Sequence, residues 1–369
     1  MSGRTLLLIG AGHAHLGVID DIRHNSMPCE RVVLVEPRDA MHYSGMVPGW
    51  LAGEYRASEA MIPLAPLIAD TGIEWRKAAL VAIDPGALVA ELDDGSQEEF
   101  HICSIATGGA GRASQVLGKD ARLLDIRPID GFVEGWRGLR DGPLPPRRIA
   151  VVGGGAGGVE LAFGFANAPL PQGCKVILVS GEAGLLADHA DSTARKVERE
   201  LQAQGIEIVG AEASFKDGKL VAGGRSLEPL DLVVAAIGSG APAWPQDSGL
   251  PVDEDGFIRV DQHQRVCGYP AIFAAGDVAR RVDRHLPHSG VHAVYAGPVL
   301  ADNLRRALAG REPTGIYRGW GMDFYLLNTG RGTAILSYAG LALKARWLRK
   351  LKDWLDRRWI ERFTRRDAP

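Results

Sequence analysis

Two stretches of this chain share one order of short apolar strand, glycine turn, helix and second strand. That duplication constrains the fold more than any other feature. In the first, Thr5-Leu-Leu-Leu-Ile9 runs into Gly10-Ala-Gly12, a helix extends over about His13 to Arg23, and Arg31-Val-Val-Leu-Val35 ends at an acid, Glu36. In the second, Arg148-Ile-Ala-Val-Val152 meets Gly153-Gly-Gly155-Ala-Gly-Gly158-Val-Glu160. After a helix, Lys175-Val-Ile-Leu-Val179 ends at Ser180. Glycines at a strand end let the backbone turn tightly and approach a pyrophosphate, to which the next helix offers unpaired N–H groups and partial positive charge. Glu36 stands where a carboxylate accepts hydrogen bonds from a ribose diol. His13 and His15 read as helix-start residues beside that pyrophosphate. The two copies differ at one point: the second has all three fingerprint glycines, whereas the first carries His15 at the third, which predicts looser packing of its helix on the strand. Two such turns imply two dinucleotides, and a hydride can pass between them.

The likeness between the halves continues. His101-Ile-Cys-Ser-Ile-Ala106-Thr107-Gly108 and Leu232-Val-Val-Ala-Ala-Ile-Gly238 are both apolar strands ending in small residues, which let the chain leave a sheet close to a bound nucleotide. Antiparallel strands are expected over residues 73–100, with a hairpin at Asp93-Asp-Gly95, and over 206–221, with a turn at Asp217-Gly218. Met41 to Tyr55, rich in glycine around bulky side chains, reads as loop and short helix. Pro143 to Arg147 is a linker before the second unit, and Ala271-Ile-Phe-Ala-Ala-Gly276-Asp277 closes the pattern.

At 369 residues the chain can fill two or three domains with proper cores. A net charge of −3 gives no reason to expect nucleic acid as a partner. Cys29, Cys103, Cys174 and Cys267 are scattered, which argues against a zinc site or a disulfide framework and points to a reducing cytoplasm. Pro287 and Gly290 interrupt any helix that would align His285, His288 and His292, so no metal site is expected. The apolar run at the N-terminus is broken by glycines and histidines and belongs to the first strand, so it is not read as a signal peptide. No stretch approaches the roughly 20 apolar residues of a spanning helix.

With these motifs in view, residues 5 to about 310 resemble the pyridine nucleotide–disulfide oxidoreductase superfamily. The resemblance implies an α/β fold of two Rossmann-like dinucleotide-binding domains, followed by a short C-terminal region with an amphipathic helix. It implies an FAD domain in two pieces, 1–115 and 255–310, an inserted NAD(P)H domain at 116–254, and a C-terminal region at 311–369. Carried over, Gly10, Gly12, Glu36, the Ala106-Thr107-Gly108 ending, Gly276 and Asp277 hold FAD. His292 and Ala293, at the start of the next helix, face its N1/C2 edge. Gly153, Gly155, Gly158, Ser180 and Gly238 hold NAD(P)H, and Glu160 is either on the nicotinamide side or an ordinary helix acid.

A narrower likeness rests on Tyr43-Ser-Gly-Met-Val-Pro48-Gly49, Gly297-Pro-Val-Leu-Ala-Asp-Asn303 and Leu351-Lys-Asp-Trp-Leu-Asp356. These resemble the flavoprotein often fused ahead of selenide, water dikinase, a branch near the type II NADH dehydrogenases and sulfide:quinone oxidoreductases. Met41 to Tyr55, where disulfide reductases carry a Cys-x4-Cys pair, has no cysteine. Direct hydride transfer from NAD(P)H to FAD, with electrons passing to an acceptor such as a quinone, is therefore the expected activity. A sulfide- or selenium-linked oxidoreductase and a non-catalytic redox sensor are the alternatives. Ser180 is a weak ribose acceptor, and no arginine stands at the strand tip for a 2′-phosphate, which favours NADH over NADPH. No residue is assigned as catalytic.

The tail differs in kind. Trp347, Leu348, Leu351, Trp354, Leu355, Trp359 and Phe363 recur at three- and four-residue spacing as one apolar stripe. Lys344 to Arg366 holds ten Lys/Arg against three acids, a local net of +7 in a chain of −3. Aromatics with a basic face suit a helix lying at a membrane interface, on the inner face of the cell membrane; docking on its own protein or in a homodimer is the other reading. The nucleotide motifs all lie upstream, which makes the tail separable from cofactor binding.

Overall fold

The computed structural model describes residues 3–170, 173–319 and 324–364. Its centre is a pair of five-stranded sheets built to one plan. In the first, the parallel order is Ile272–Ala274, Ile102–Ile105, Thr5–Ile9, Arg31–Val35, Ile73–Arg76. In the second it is Leu123–Asp125, Leu232–Ala235, Arg148–Val152, Lys175–Val179, Glu207–Val209. Each fingerprint strand is thus central, and its glycine turn opens at the carboxyl edge, where ligands of open α/β sheets bind. The central strands are apolar throughout because both faces are covered, as a parallel sheet requires. The outer strand beside Ile102–Ile105 comes from far downstream, so the first sheet is completed only after the chain has built the second.

Each sheet carries a three-stranded antiparallel unit, Leu80–Asp84 with Val89–Leu92 and Gln97–Glu99, and Ala213–Lys216 with Lys219–Ala222 and Arg225–Ser226. The turn at Asp217-Gly218 has positive φ at both residues, 50° and 70°, the geometry that matches strand twist in a two-residue hairpin. The two return segments meet in a bridge: the Ala110 and Gly240 backbones exchange hydrogen bonds of 2.8 and 2.9 Å. Trp136 of the helix Ile129–Arg140 packs edge-on against Phe165 of the second fingerprint helix, Ala156–Ala166, at 4.8 Å.

The helix Gly290–Leu308 lies against the first fingerprint helix, His13–His24, at two glycines. A Cβ on Gly297 would stand 2.6 Å from the Ala14 carbonyl, so only glycine permits this approach. A last antiparallel sheet, Tyr325–Asn328, Ala334–Tyr338 and Leu341–Ala345, leads into the C-terminal helix Arg346–Thr364.

The single apolar stripe read from the tail spacing divides in space. Leu348, Ile360 and Phe363 are buried against the body of the protein, whereas Trp347, Trp354 and Leu355 are 56, 54 and 39% exposed on the opposite side. The helix is therefore docked, and the tail is not separable. Ion pairs of Arg349 with Glu54, Arg357 with Glu59 and Arg362 with Asp20 fasten its inner side. Arg365 and Arg366, the last cations of the basic stretch, lie outside the described residues.

Candidate functional site: two nucleotide clefts and a buried charge cluster

The first fingerprint opens onto a cavity lined by Gly12, His13, Ala106, Thr107, Gly108, Arg127, Gly276, Asp277 and Ala293, among others. A Cβ on Gly12 would stand 2.3 Å from the Ala106 carbonyl, so the turn and the strand ending close on each other only because glycine is there. Glu36 is almost fully buried at the strand tip. Its carboxylate accepts from the Ala11 N–H at 2.8 Å and from the Arg38 guanidinium at 2.6 and 2.8 Å. Arg38 also reaches Asp130, which holds the His42 imidazole. Burial works against the Asp130 carboxylate, yet His42 and Arg38 outweigh it and keep its pKa below the ordinary value.

His15, expected beside the pyrophosphate, points elsewhere. Its ring spans from the Gly10 carbonyl at 2.5 Å to Ser104 Oγ at 2.8 Å, fully buried. It thereby fills the room a glycine would have left and ties the turn to the neighbouring strand. Burial lowers its pKa to about 4, so the ring is neutral: Nδ1–H donates to the Gly10 carbonyl and Nε2 accepts from the Ser104 hydroxyl. Pro48, in the turn Val47–Leu51, lies against the second half, its carbonyl 2.8 Å from the Cβ position of Gly164.

Whether the cavity fits FAD can be judged from its polar lining. His13 Nε2, His42 Nε2 and Thr107 Oγ1 are buried without a hydrogen-bond partner among the described residues, and all three residues line this cavity. A buried polar atom left alone costs about 1–3 kcal/mol. Three such atoms, with the cations Arg38 and Arg127, suit a long polar anion with phosphates and hydroxyls. Asp277 is held in place by Ser239 at 2.9 Å and Arg127 at 3.0 Å. The helix Gly290–Leu308 begins at the cavity, capped by Ser289, whose side chain accepts from the His292 N–H. The His292 ring bonds Tyr317 at 2.8 Å on the flank of that helix. These residues fit the flavin dinucleotide.

The second fingerprint has the tighter turn. A Cβ on Gly158 would stand 1.9 Å from the Gly153 carbonyl, whereas one on Gly155 would meet nothing within 4 Å. Gly158 serves packing, and Gly155 leaves the turn open to a ligand. Gly238 has φ of 82°, close to the 78° of Gly108 in the first half. A separate cleft runs past Ser180, Gly184, Leu185 and Gly210. The helix Asp191–Ala203 brings Arg195 into it, although Arg195 is remote from the strand tip in sequence.

A third feature carries no sequence motif. Glu160, Lys352, Asp356 and Tyr43 gather beneath the C-terminal helix. Lys352 Nζ lies 3.2 Å from both Asp356 Oδ2 and the Gly45 carbonyl, Tyr43 donates to Asp356 at 3.2 Å, and the Asn328 N–H donates to Glu160 at 2.7 Å. Desolvation raises the pKa of Glu160 and of Asp356 from their ordinary values. Burial also opposes the charged form of Lys352, but the two carboxylates outweigh it and keep the ammonium's pKa raised. Trp359 stacks on Tyr43 at 4.3 Å and on His13 at 5.4 Å, so the cluster is one ring away from the first cavity. Burial lowers the pKa of His13 to about 4, leaving a neutral ring there. Sequence spacing named Glu160 but not the grouping, because Tyr43 and Glu160 come from segments far from the helix that carries Lys352 and Asp356; a lysine and an acid four apart in that helix were the one visible sign.

Cys29, Cys103, Cys174 and Cys267 are all free and none lines a described cavity. Among the described residues no group of His, Cys, Asp and Glu could hold a metal ion, and no helix is long and apolar enough to cross a membrane.

The family model described as pyridine nucleotide-disulphide oxidoreductase matches residues 4–297. Ferroptosis suppressor protein 1 of Taeniopygia guttata is 26% identical, over 89% of this chain and 87% of its own length. The demethylphylloquinone reductase NdbB of Synechocystis is 26% identical, over 88% and 85%. Among solved structures, the sulfide:quinone oxidoreductase of Aquifex aeolicus superposes with a TM-score of 0.77 at 15% identity, over 98% of this chain and 91% of that one. NDH2 of Plasmodium falciparum superposes with the same TM-score of 0.77 at 13% identity, over 98% and 100%.

Proposed function

The chain belongs to the pyridine nucleotide-disulphide oxidoreductase family, and on that premise we propose that it is an FAD-dependent NAD(P)H oxidoreductase that delivers electrons to a quinone. The observation that carries the acceptor is the buried cluster of Glu160, Lys352, Asp356 and Tyr43 beside the flavin cavity. A quinone leaving as quinol needs two protons as well as two electrons, and this cluster stores protons away from bulk water. A relative named for reducing demethylphylloquinone supports the same reading.

FAD, when bound, supplies acceptance of a hydride and its return as electrons. The chain's residues bind and orient. Gly10 and Gly12 open the turn to the pyrophosphate, with Arg38 and Arg127 as its countercharges and Glu36 at the adenosine ribose. Asp277 would hold the ribityl chain, and the helix Gly290–Leu308, whose start lines the cavity through Gly290 and Ala293, would present the positive end of its dipole to the ring edge. Gly153, Gly155 and Gly158 cradle NAD(P)H in the second half. On this reading the FAD part is 1–115 with 255–310 and the NAD(P)H part is 116–254, whose segment around Arg127 and Asp130 also lines the FAD cavity.

Thiols take no part in this account. A variant with all four cysteines changed to Ser should bind FAD and show NADH-dependent flavin bleaching in anaerobic stopped flow at the wild-type rate. Loss of bleaching in a variant with a native circular dichroism spectrum would require a thiol relay.

The protein also contacts membrane peripherally through the outer side of its C-terminal helix. Trp347, Trp354 and Leu355 are exposed there, and Arg358 lies over the Trp354 ring at 5.2 Å. Rings at the headgroup level with cations beside them suit an anionic surface, each cation adding about 1 kcal/mol. Trp347→Ala with Trp354→Ala should abolish co-sedimentation with phosphatidylglycerol vesicles while flavin content stays constant. Equal binding of wild type and variant would refute the contact.

A further inference from the structure

The strand tip of the second fingerprint ends in Ser180, and sequence alone offers no acid for the adenosine ribose at that point. Ser180 itself is turned inward. It is 7% exposed, and its hydroxyl lies 3.4 and 3.5 Å from the Gly181 and Val209 carbonyls. The neighbouring strand Glu207–Val209 leaves the sheet at the same edge, and two residues past Gly210 comes Glu212. Its carboxylate returns over the tip. Oε1 accepts from the Glu182 N–H at 3.2 Å and lies 2.9 Å from where a Cβ on Gly181 would stand, a glycine with φ of 74°. A side chain at position 181 would displace that carboxylate.

We infer that Glu212 is the ribose acceptor of the nicotinamide dinucleotide and makes this cleft select NADH over NADPH. The inference rests on the reading that the second fingerprint holds the nicotinamide cofactor. Two hydroxyls of an unmodified ribose can both donate to one carboxylate, whereas a 2′-phosphate in the same place meets like charge. Glu212 stands beside the cleft, two residues past Gly210 on its lining, and the lining adds Asp191, Glu198 and Glu207 to that field against Arg195. Arg195 is itself drawn towards Asp191, at 3.8 Å. Adjacent parallel strands deliver their following loops to one edge, so an acid missing after one strand can come from the next.

The test measures Kd and the limiting rate constant of flavin reduction separately, by anaerobic stopped flow over a range of NADH and NADPH concentrations. Wild type is expected to favour NADH. Glu212→Gln and Glu212→Ala should raise the NADH Kd roughly tenfold or more, the scale of a charge-assisted hydrogen bond. NADPH should not be weakened further, and the limiting rate at saturation should be unchanged. Glu182→Gln should leave both nucleotides as they were. An NADH Kd unaltered in both Glu212 variants, or a wild type that prefers NADPH, overturns the assignment while flavin reduction by either nucleotide leaves the proposed function standing. Absence of flavin reduction by both nucleotides in wild type overturns the two together.

Discussion

A chain ended at Ala345 is expected to lose its flavin along with its tail. The C-terminal helix places Ile360 and Phe363, 7 and 4% exposed, in the same core cluster as the first fingerprint helix. It also stacks Trp359 on Tyr43 and His13, the residue that opens the cavity. Removing a buried aromatic of this size alone costs about 3–5 kcal/mol, a large share of a domain's stability. Truncation further strips Arg349, Arg357 and Arg362 from Glu54, Glu59 and Asp20. Trp359→Ala is the finer probe, expected to lower both Tm and FAD affinity. A truncated protein that stays yellow and melts at the wild-type Tm would make the helix an appendage.

The second large effect concerns Lys352. Lys352→Met leaves Asp356 and Glu160 without their buried cation, and breaking such a pair costs about 3–5 kcal/mol when both charges persist. The carboxyls escape that cost by taking protons, so their pKa values rise further. Flavin reduction by NADH should survive, because the nicotinamide cleft is elsewhere. Quinone reduction should fall by about 10²-fold or more, the scale of a lost acid–base group. In wild type the raised pKa values of Glu160 and Asp356 keep a protonated fraction above the ordinary carboxylate range. The quinone step should therefore slow as pH rises through those values, and Lys352→Met should move that fall to higher pH. A variant matching wild type at every pH would remove the cluster from the reaction.

Much of the frame is legible before any coordinates. Glycine spacing after an apolar strand is a local requirement of backbone approach, so Gly10, Gly12, Gly153 and Gly158 announce their turns within a few residues. The parallel sheets follow from those turns and from strands apolar on both faces. The contacts that complete the site are not local. His15 breaks the fingerprint in sequence, and its compensation is a hydrogen bond to Ser104 on another strand. Helical periodicity marks the tail as amphipathic, yet it does not say which apolar side meets the protein. Here the buried side is the one that carries Arg349, Lys352 and Asp356, because Glu54, Glu160 and Tyr43 wait beneath it. Arg195 reaches the second cleft in the same way, through the direction of the helix Asp191–Ala203.

In the proposed reaction electrons enter from NADH and leave to a quinone beside the C-terminal helix. Sequential-mixing stopped flow tests this most directly: the flavin is first bleached with one equivalent of NADH under anaerobic conditions, then mixed with a short-chain quinone. Wild type is predicted to recover its absorbance within the time of turnover, and Lys352→Met to bleach normally but recover at least about 10²-fold more slowly. Flavin that bleaches with NADH but recovers with oxygen or a disulfide and not with any quinone would contradict the account.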